Sequence, residues 1–501
     1  MSRVEPSDNK RTSTLDLSRE AIDQLSAQAN ELVTEYFNTI AERRVFPDTY
    51  AGKLNTLINT ELPVDGEPLE KLLDECRSVI ELSRHNGHPR FFGYVASPST
   101  PIGAYADLIG SAFNSNITCW RSAPGGTEIE KLVVRWLGSL IGYTDARGLL
   151  TSGGSMANVI ALLTASRRKG GYGISSTGLW NTGRPLTLYA SEEVHMSVPK
   201  AADVLGLGRD NVRIIPCDEN LRMNVPALRE AIIADLSKEL RPYCVVASAG
   251  TVGTGVVDPL NDIADVAREF DLWFHVDGAY GGPAVLDPIK KNLFQGIERA
   301  DSLSLDPHKW LYVPVDAGCL LFRDDEVFTR TFGSQDAEYI KRHGYIDDEA
   351  FAFWDYGVEL SRRFRALKVW LTLRYYGTRK IAAAISEDMK LAAHLGDLVN
   401  AAEDFELLAP VELSICCFRY VPPELKDAAD AASATEHLNR LNARIMNTVQ
   451  TGGRAYLSNA SVHGCFALRA CITNFRTTRA DIEETLEIVR EAALKCRAIE
   501  S

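Results

Sequence analysis

No stretch of this 501-residue chain approaches the roughly 18 consecutive apolar residues that a membrane span requires. Its first residues, MSRVEPSDNKRTSTLD, lack the apolar core of a secretory signal, so none is expected. Positive charge is also short: 54 Lys and Arg stand against 67 Asp and Glu, a net charge of −13. That balance argues against nucleic acid as a partner. It leaves room for a small phosphorylated ligand, because backbone amides and helix ends bind phosphate even in acidic proteins. The ten cysteines form no C-x-x-C pair and have no His-x-x-x-His companion, so neither a disulfide framework nor a metal site is expected. Scattered thiols of this kind fit a soluble cytoplasmic protein. Internal repeats and low-complexity tracts are absent as well.

What is present is a globular composition, 45% apolar and 24% charged, on a chain long enough for a large α/β core with appendages. Residues 1–14 are expected to be a disordered tail, followed by a helical segment over 15–99. Within that segment Ile22, Leu25, Ala29, Leu32, Val33, Tyr36, Phe37 and Ile40 recur at helical spacing between Leu15 and Arg44. A second helix is expected from about Pro68 to Arg84. Both have apolar faces with nothing local to cover them, which points to a partner subunit. Over residues 100–390 the runs LTLYA, VRIIP, YCVVAS, LWFHVD, SLSLD and GCLLF alternate with amphipathic stretches. That alternation implies βαβ units and a mostly parallel sheet covered on both faces. Residues 391–501 read as a small α+β domain, with strands in FELLAP, SICCFRYV and CFALRACIT and a closing helix in DIEETLEIVREAALKC.

Four segments carry chemistry. Ser304-Leu-Asp306-Pro307-His308-Lys309-Trp310 places a lysine at the end of a core strand. Desolvation there lowers an amine's pKa, and only a neutral amine attacks an aldehyde. A surface lysine in a turn would read the same way in isolation. His275-Val-Asp277-Gly278-Ala279-Tyr280 puts a carboxylate at the carboxyl end of a strand, where α/β proteins bind ligands. Alone, Asp277 could equally be a metal ligand or a helix cap. Thr151-Ser-Gly153-Gly154-Ser155-Met-Ala-Asn158 opens an apolar helix with glycines and hydroxyls, an anion site or a plain Ser-rich cap. His195, in SEEVHMSVPKAA, follows LTLYA and either stacks on a flat ring or is structural. An amine, a carboxylate, a phosphate cradle and a stacking group are together what a pyridoxal cofactor requires.

With those motifs in place, the sequence resembles the group II pyridoxal-phosphate-dependent amino acid decarboxylases, and within them the aromatic-L-amino-acid decarboxylases. HVDGAYGG and DPHKWLYVPVD carry the resemblance, and TSGGSMAN, LSRRFRALKVW and EYIKRHG support it. It implies a fold-type I architecture with a seven-stranded, mostly parallel sheet, pyridoxal 5'-phosphate as cofactor, and a homodimer with the active site at the subunit interface. Position by position, it implies that Lys309 is the Schiff-base lysine and that Asp277 partners the pyridine nitrogen. Ala279 would lie beneath the ring and His195 on its other face. Gly154, Ser155 and Asp306 would contact the cofactor, chiefly its phosphate. Asp306 stands where animal members commonly have asparagine, so its carboxylate needs neutralising. Thr251 matches a cofactor contact, although Val252 departs from the pattern.

The resemblance also implies that Tyr339, in a mobile loop of the neighbouring subunit, protonates the substrate carbon with help from His308. In related aldehyde synthases that position resembles phenylalanine. Phe92 and Tyr94, in HPRFFGY, are expected to line an aromatic substrate pocket. Arg90 beside them either pairs with an acidic substrate or points to solvent. The alternatives are a decarboxylase of an acidic amino acid or histidine, an aldehyde synthase, an aminotransferase with Arg469 clamping the substrate carboxylate, and a pyridoxal-binding protein without turnover.

Overall fold

Seven short apolar runs build the central sheet of the structure, a computed structural model that describes residues 15–58, 61–333, 347–428 and 432–498. They are β1 (Arg147–Thr151), β2 (Leu186–Ser191), β3 (Val212–Ile215), β4 (Arg241–Ser248), β5 (Trp273–Asp277), β6 (Ser302–Leu305) and β7 (Gly318–Phe322). Their order is β1-β7-β6-β5-β4-β2-β3. From β6 to β3 every pair is parallel, and β7 runs antiparallel to both of its neighbours. Parallel strands buried on both faces need near-continuous apolar sequence. The parallel strands β2 and β6 are buried at every position, and so is the antiparallel β7 between β1 and β6. The helix Gly154–Gly170 lies across the sheet, and Ala157, Ile160, Ala161, Leu162 and Ala165 are its buried apolar residues.

The N-terminal part forms helices at Arg19–Thr39, Ala51–Ile58 and Leu69–Glu81. The first is shorter than its apolar periodicity suggests, because the chain tightens into a 3-10 turn at Ile40–Glu42 before Pro47. Phe91–Phe92 departs from the helical expectation for residues 15–99: it pairs in parallel with Tyr456–Leu457 and joins the small sheet. That sheet continues through Cys465–Cys471, Ile415–Tyr420 and Phe405–Leu407, all antiparallel. Helices Ala432–Gly452 and Arg479–Ala498 pack against it. The long helix Arg365–Ala401, broken at Gly377 (φ 73°), links the two cores. It supplies Ala366, Val369 and Met389 to the large core and Leu391, Leu395 and Val399 to the small one. The expected tail over residues 1–14 lies outside the described residues.

The LSRRFRALKVW block has a structural explanation. Arg362 is buried and donates to Glu130 (2.5 Å), to the Ile117 carbonyl (2.7 Å) and to the Leu150 carbonyl (2.8 Å). Glu130 in turn accepts from the Leu150 N–H (2.8 Å). This clamp pins β1, which leads directly into Gly153 and Gly154, against the helix Pro124–Leu140. Arg362→Met leaves Glu130 as an unpaired buried charge, and should cost about 3–5 kcal/mol of stability. Urea unfolding checks this. The double variant Arg362→Met/Glu130→Leu should recover most of the loss, and an unchanged midpoint in Arg362→Met would contradict the clamp.

Candidate active site

A cavity of about 340 Å³ opens at the carboxyl ends of the parallel strands. Asp277 closes β5, Asp306 directly follows β6, Ser248 closes β4, and Gly153 and Gly154 follow β1. Strand ends and the start of a covering helix converge here because the βα turns of a parallel sheet all emerge on one edge. Gly154, Ser155, His195, Thr251, Asp277, Ala279, Asp306, His308 and Lys309 all line this cavity.

The anion cradle is built from backbone. Gly153 precedes the helix Gly154–Gly170 with φ 151° and ψ 173°, a conformation open to glycine, and no side chain caps the helix. The first N–H groups of the helix therefore have no acceptor within it. A Cβ on Gly154 would come within 2.9 Å of Ala279 Cβ and 3.1 Å of Asp306 Oδ2, so a side chain would fill the cradle. Thr251 is buried, its hydroxyl 3.1 Å from that of Thr254 and accepting from the Val256 N–H at 3.2 Å. Its side chain therefore holds the turn that borders the cavity.

The charged groups are one ammonium and two carboxylates. Lys309 Nζ lies 2.9 Å from Asp306 Oδ2, and the Asp306 side chain is only 2% exposed. Burial disfavours the lysine's charge, but Asp306 and Asp277 outweigh it, so its pKa is raised above the ordinary lysine value. This corrects the expectation of a depressed amine, which took account of desolvation and not of the paired carboxylates. Asp306 Oδ1 is buried with no hydrogen-bond partner among the described residues. Asp277 accepts from Ser304 Oγ (2.8 Å), the Ala279 N–H (3.1 Å) and Asn158 Nδ2 (2.8 Å). Burial pushes the Asp277 carboxyl up, but Lys309 and the Asn158 hydrogen bond overcome this and hold it below the usual carboxylate range.

Two histidines complete the lining. Burial lowers the pKa of His195, whose Nδ1 lies 2.7 Å from Ser197 Oγ. His308 is likewise lowered by burial, and its Nδ1 lies 2.8 Å from the Ala317 carbonyl, with Nε2 3.8 Å from Asp306. With both pKa values held below the ordinary imidazole value of about 6.5, the two rings are neutral at pH ~7.

Other expected site residues lie elsewhere. Phe92 is buried in the small-domain core, so its ring is not offered to the cavity of its own chain. Tyr94 is half exposed and sits over Tyr456, again away from the cavity lining. Arg90 neither points freely to solvent nor stands available to a ligand: it pairs with Asp481 (3.2 Å) and Glu484 (2.9 Å) and donates to the Arg454 carbonyl. Arg469 donates to the carbonyls of Gly253 (3.0 Å) and Tyr94 (2.8 Å), bracing main chain behind the cavity. Tyr339 falls outside the described residues. Sequence reasoning passed over Asn158, Ser304, Ser197 and His275 as functional residues. The available signal was alternation: His275 lies two residues before Asp277 and therefore on the same face of β5.

Residues 51–421 match the pyridoxal-dependent decarboxylase conserved domain. The chain is 37% identical over 477 residues to an aromatic-L-amino-acid decarboxylase of Bacillus atrophaeus, covering 95% of each protein. Among solved structures it is similar to mouse CSAD in apo form (TM-score 0.89, 30% identity, 95% of this chain and 99% of that one). It is similar also to Oryza sativa TDC with PLP and tryptamine (TM-score 0.87, 28% identity, 96% of this chain and 99% of that one).

The fully buried His275 makes the site sensitive to acid. Burial pushes its pKa down to about 4, whereas an unfolded histidine protonates near pH ~6.5. Between those values the unfolded chain binds more protons than the folded one, so stability falls as pH drops through that window. His275→Gln removes the titration and should flatten the fall by about 3 kcal/mol. Thermal melts from pH ~7 down to ~4 check this, and parallel pH slopes for the two proteins would contradict it.

Proposed function

This chain belongs to the pyridoxal-dependent decarboxylases, and we propose that it decarboxylates an aromatic L-amino acid to the amine and carbon dioxide. The observation that carries this reading is the convergence of Lys309, Asp277 and the uncapped start of the helix Gly154–Gly170 on one cavity.

These residues fit pyridoxal 5'-phosphate. The amides at Gly154 and Ser155 would hold the phosphate, and Lys309 would hold the aldehyde carbon. Asp277 would pair with the ring nitrogen, Ala279 would lie under the ring, and His195 would lie over it. Asp306, with its unpartnered oxygen, would sit toward the phosphate end. When bound, the cofactor supplies an electron sink for the pair left behind as carbon dioxide departs. Asp277, held by three donors, would keep a proton on the ring nitrogen. Tyr339 is proposed as the acid that protonates the α-carbon, with His308 assisting.

The Bacillus relative supports an aromatic substrate, as does Arg90, whose charge is already matched by Asp481 and Glu484. A cation so occupied does not recruit an acidic side chain. A homodimer is proposed as the active unit. The apolar residues Leu108, Ile109 and Phe113 on the helix Pro101–Phe113 support it, because they are more than half exposed in the single chain. No helix among the described residues is long and apolar enough to cross a membrane. The ten free cysteines are consistent with a cytoplasmic setting.

Carbon dioxide release from tryptophan, tyrosine, phenylalanine, dopa, histidine, glutamate and aspartate tests the reading, with Lys309→Ala as control. Release from aromatic members alone, lost in the control, is expected. Release from glutamate or aspartate alone would overturn the substrate class. Tyr339→Phe should lower amine formation by about 10²–10⁴-fold and, with dioxygen as the oxidant and water supplying the carbonyl oxygen, divert product to aldehyde, ammonia and hydrogen peroxide. Unchanged amine output would remove Tyr339 from its role.

A further inference from the structure

Behind the cavity, seven side chains form one network of hydrogen bonds whose direction can be worked out from its donors. The register of the sheet assembles it: β5 pairs with β6 so that His275 lies opposite Ser302 and Asp277 opposite Ser304. Asn158, one turn into the helix Gly154–Gly170, sits over these residues.

An ionised Asp277 only accepts hydrogen bonds, so the Asn158 atom facing its Oδ2 at 2.8 Å must be the NH₂ group. The Asn158 carbonyl oxygen then faces His275 Nε2 at 2.9 Å, which places a proton on Nε2. His275 is neutral, so its Nδ1 is bare and accepts from Ser302 Oγ at 2.8 Å. Ser302 in turn accepts from the indole N–H of Trp273 at 2.9 Å, a group that can only donate. Every polar atom along this row is matched.

The other end of the row reaches the cavity. The Asn158 NH₂ also donates to Ser197 Oγ at 2.9 Å. Ser197 has one hydroxyl proton, and it is directed at His195 Nδ1, 2.7 Å away. The Ser197 backbone N–H points at the same nitrogen from 3.3 Å. Two donors converge on Nδ1, so the single proton of a neutral His195 belongs on Nε2.

We infer that Asn158 is a positioning residue: its amide orients Asp277 and, through Ser197, fixes His195 as the Nε2–H tautomer, so that His195 offers the cavity a hydrogen-bond donor and not a base. The inference rests on the proposed placement of Asp277 and His195 against the cofactor and deepens it. A donor over the ring face can hold a substrate carboxylate oxygen, and proton delivery to the α-carbon then falls to other groups.

The test is nitrogen NMR of the full chain labelled at its histidine imidazoles, with and without pyridoxal phosphate. His195→Gln identifies the signals by their loss. The expected spectrum shows a bare Nδ1 and a protonated Nε2 for His195, and a mixture of tautomers in both Asn158→Asp and Ser197→Ala. Asn158→Asp keeps the side chain's shape and its oxygen toward His275 while losing the donation to Ser197; toward Asp277 it can keep only a proton shared between the two carboxyls. In that variant kcat/KM should fall by about ten- to a hundredfold, the factor that one hydrogen bond to a charged group is worth. A protonated Nδ1 in the unaltered protein would overturn the inference, as would His195 signals unchanged in both variants. The tautomer is read without substrate, so a wrong decarboxylase assignment would leave that result standing.

Discussion

One ammonium and two carboxylates share the cavity at the carboxyl edge of the sheet, and their balance governs the site. Lys309 is held against Asp306 at 2.9 Å, and both it and Asp277 are largely withdrawn from water. An isolated charge in such a place would be neutralised by a shift in its pKa. Here each charge has an answering partner. Asp277 remains ionised because Ser304, the Ala279 N–H and Asn158 fill three of its acceptor directions while Lys309 supplies opposite charge nearby. Lys309 in turn keeps its proton because two carboxylates outweigh its burial. An amine in that state must release its proton before bonding to an aldehyde, so engaging the cofactor is tied to a redistribution of charge around Asp306.

The fold supplies this arrangement through register and close approach. His275 and Asp277 face Ser302 and Ser304 because β5 and β6 pair in parallel without a slip, and a one-residue slip of either strand would turn its two residues to the opposite face. Gly154 must lack a side chain, since the first turn of its helix rests on Ala279 and Asp306. The buried Arg362–Glu130 pair secures the strand that delivers those glycines. Stability and function therefore meet at the same strand ends.

Much of this was legible before the structure. The six quoted runs of the large domain are strands, and they were legible because short, β-rich and mostly apolar runs between helical stretches mark the strands of a buried, mostly parallel sheet. Lys309, Asp277, His195, Gly154 and Ser155 line one cavity, and the sequence singled them out because they end or closely follow such runs, at the strand ends where the chain meets the ligand edge. The strand Tyr456–Val462 escaped, since YLSNASV mixes polar and apolar residues in the way a partly exposed strand does. The pairing of Phe91–Phe92 with it joins residues more than 360 positions apart, and no local pattern encodes that. For the same reason Phe92 was placed in a substrate pocket when its ring belongs to a distant core, and Arg90 was given a free charge. The row from Trp273 to His195 was invisible because it depends on register between strands and on the helix laid over them.

Lys309 is proposed to hold the cofactor. Reduction of the protein loaded with pyridoxal phosphate by borohydride, followed by mass spectrometry of its peptides, tests it most directly. The account predicts a pyridoxyl group on Lys309, within the segment DPHKW. Attachment to a different lysine, or no attachment to a protein that has bound the cofactor, would contradict it.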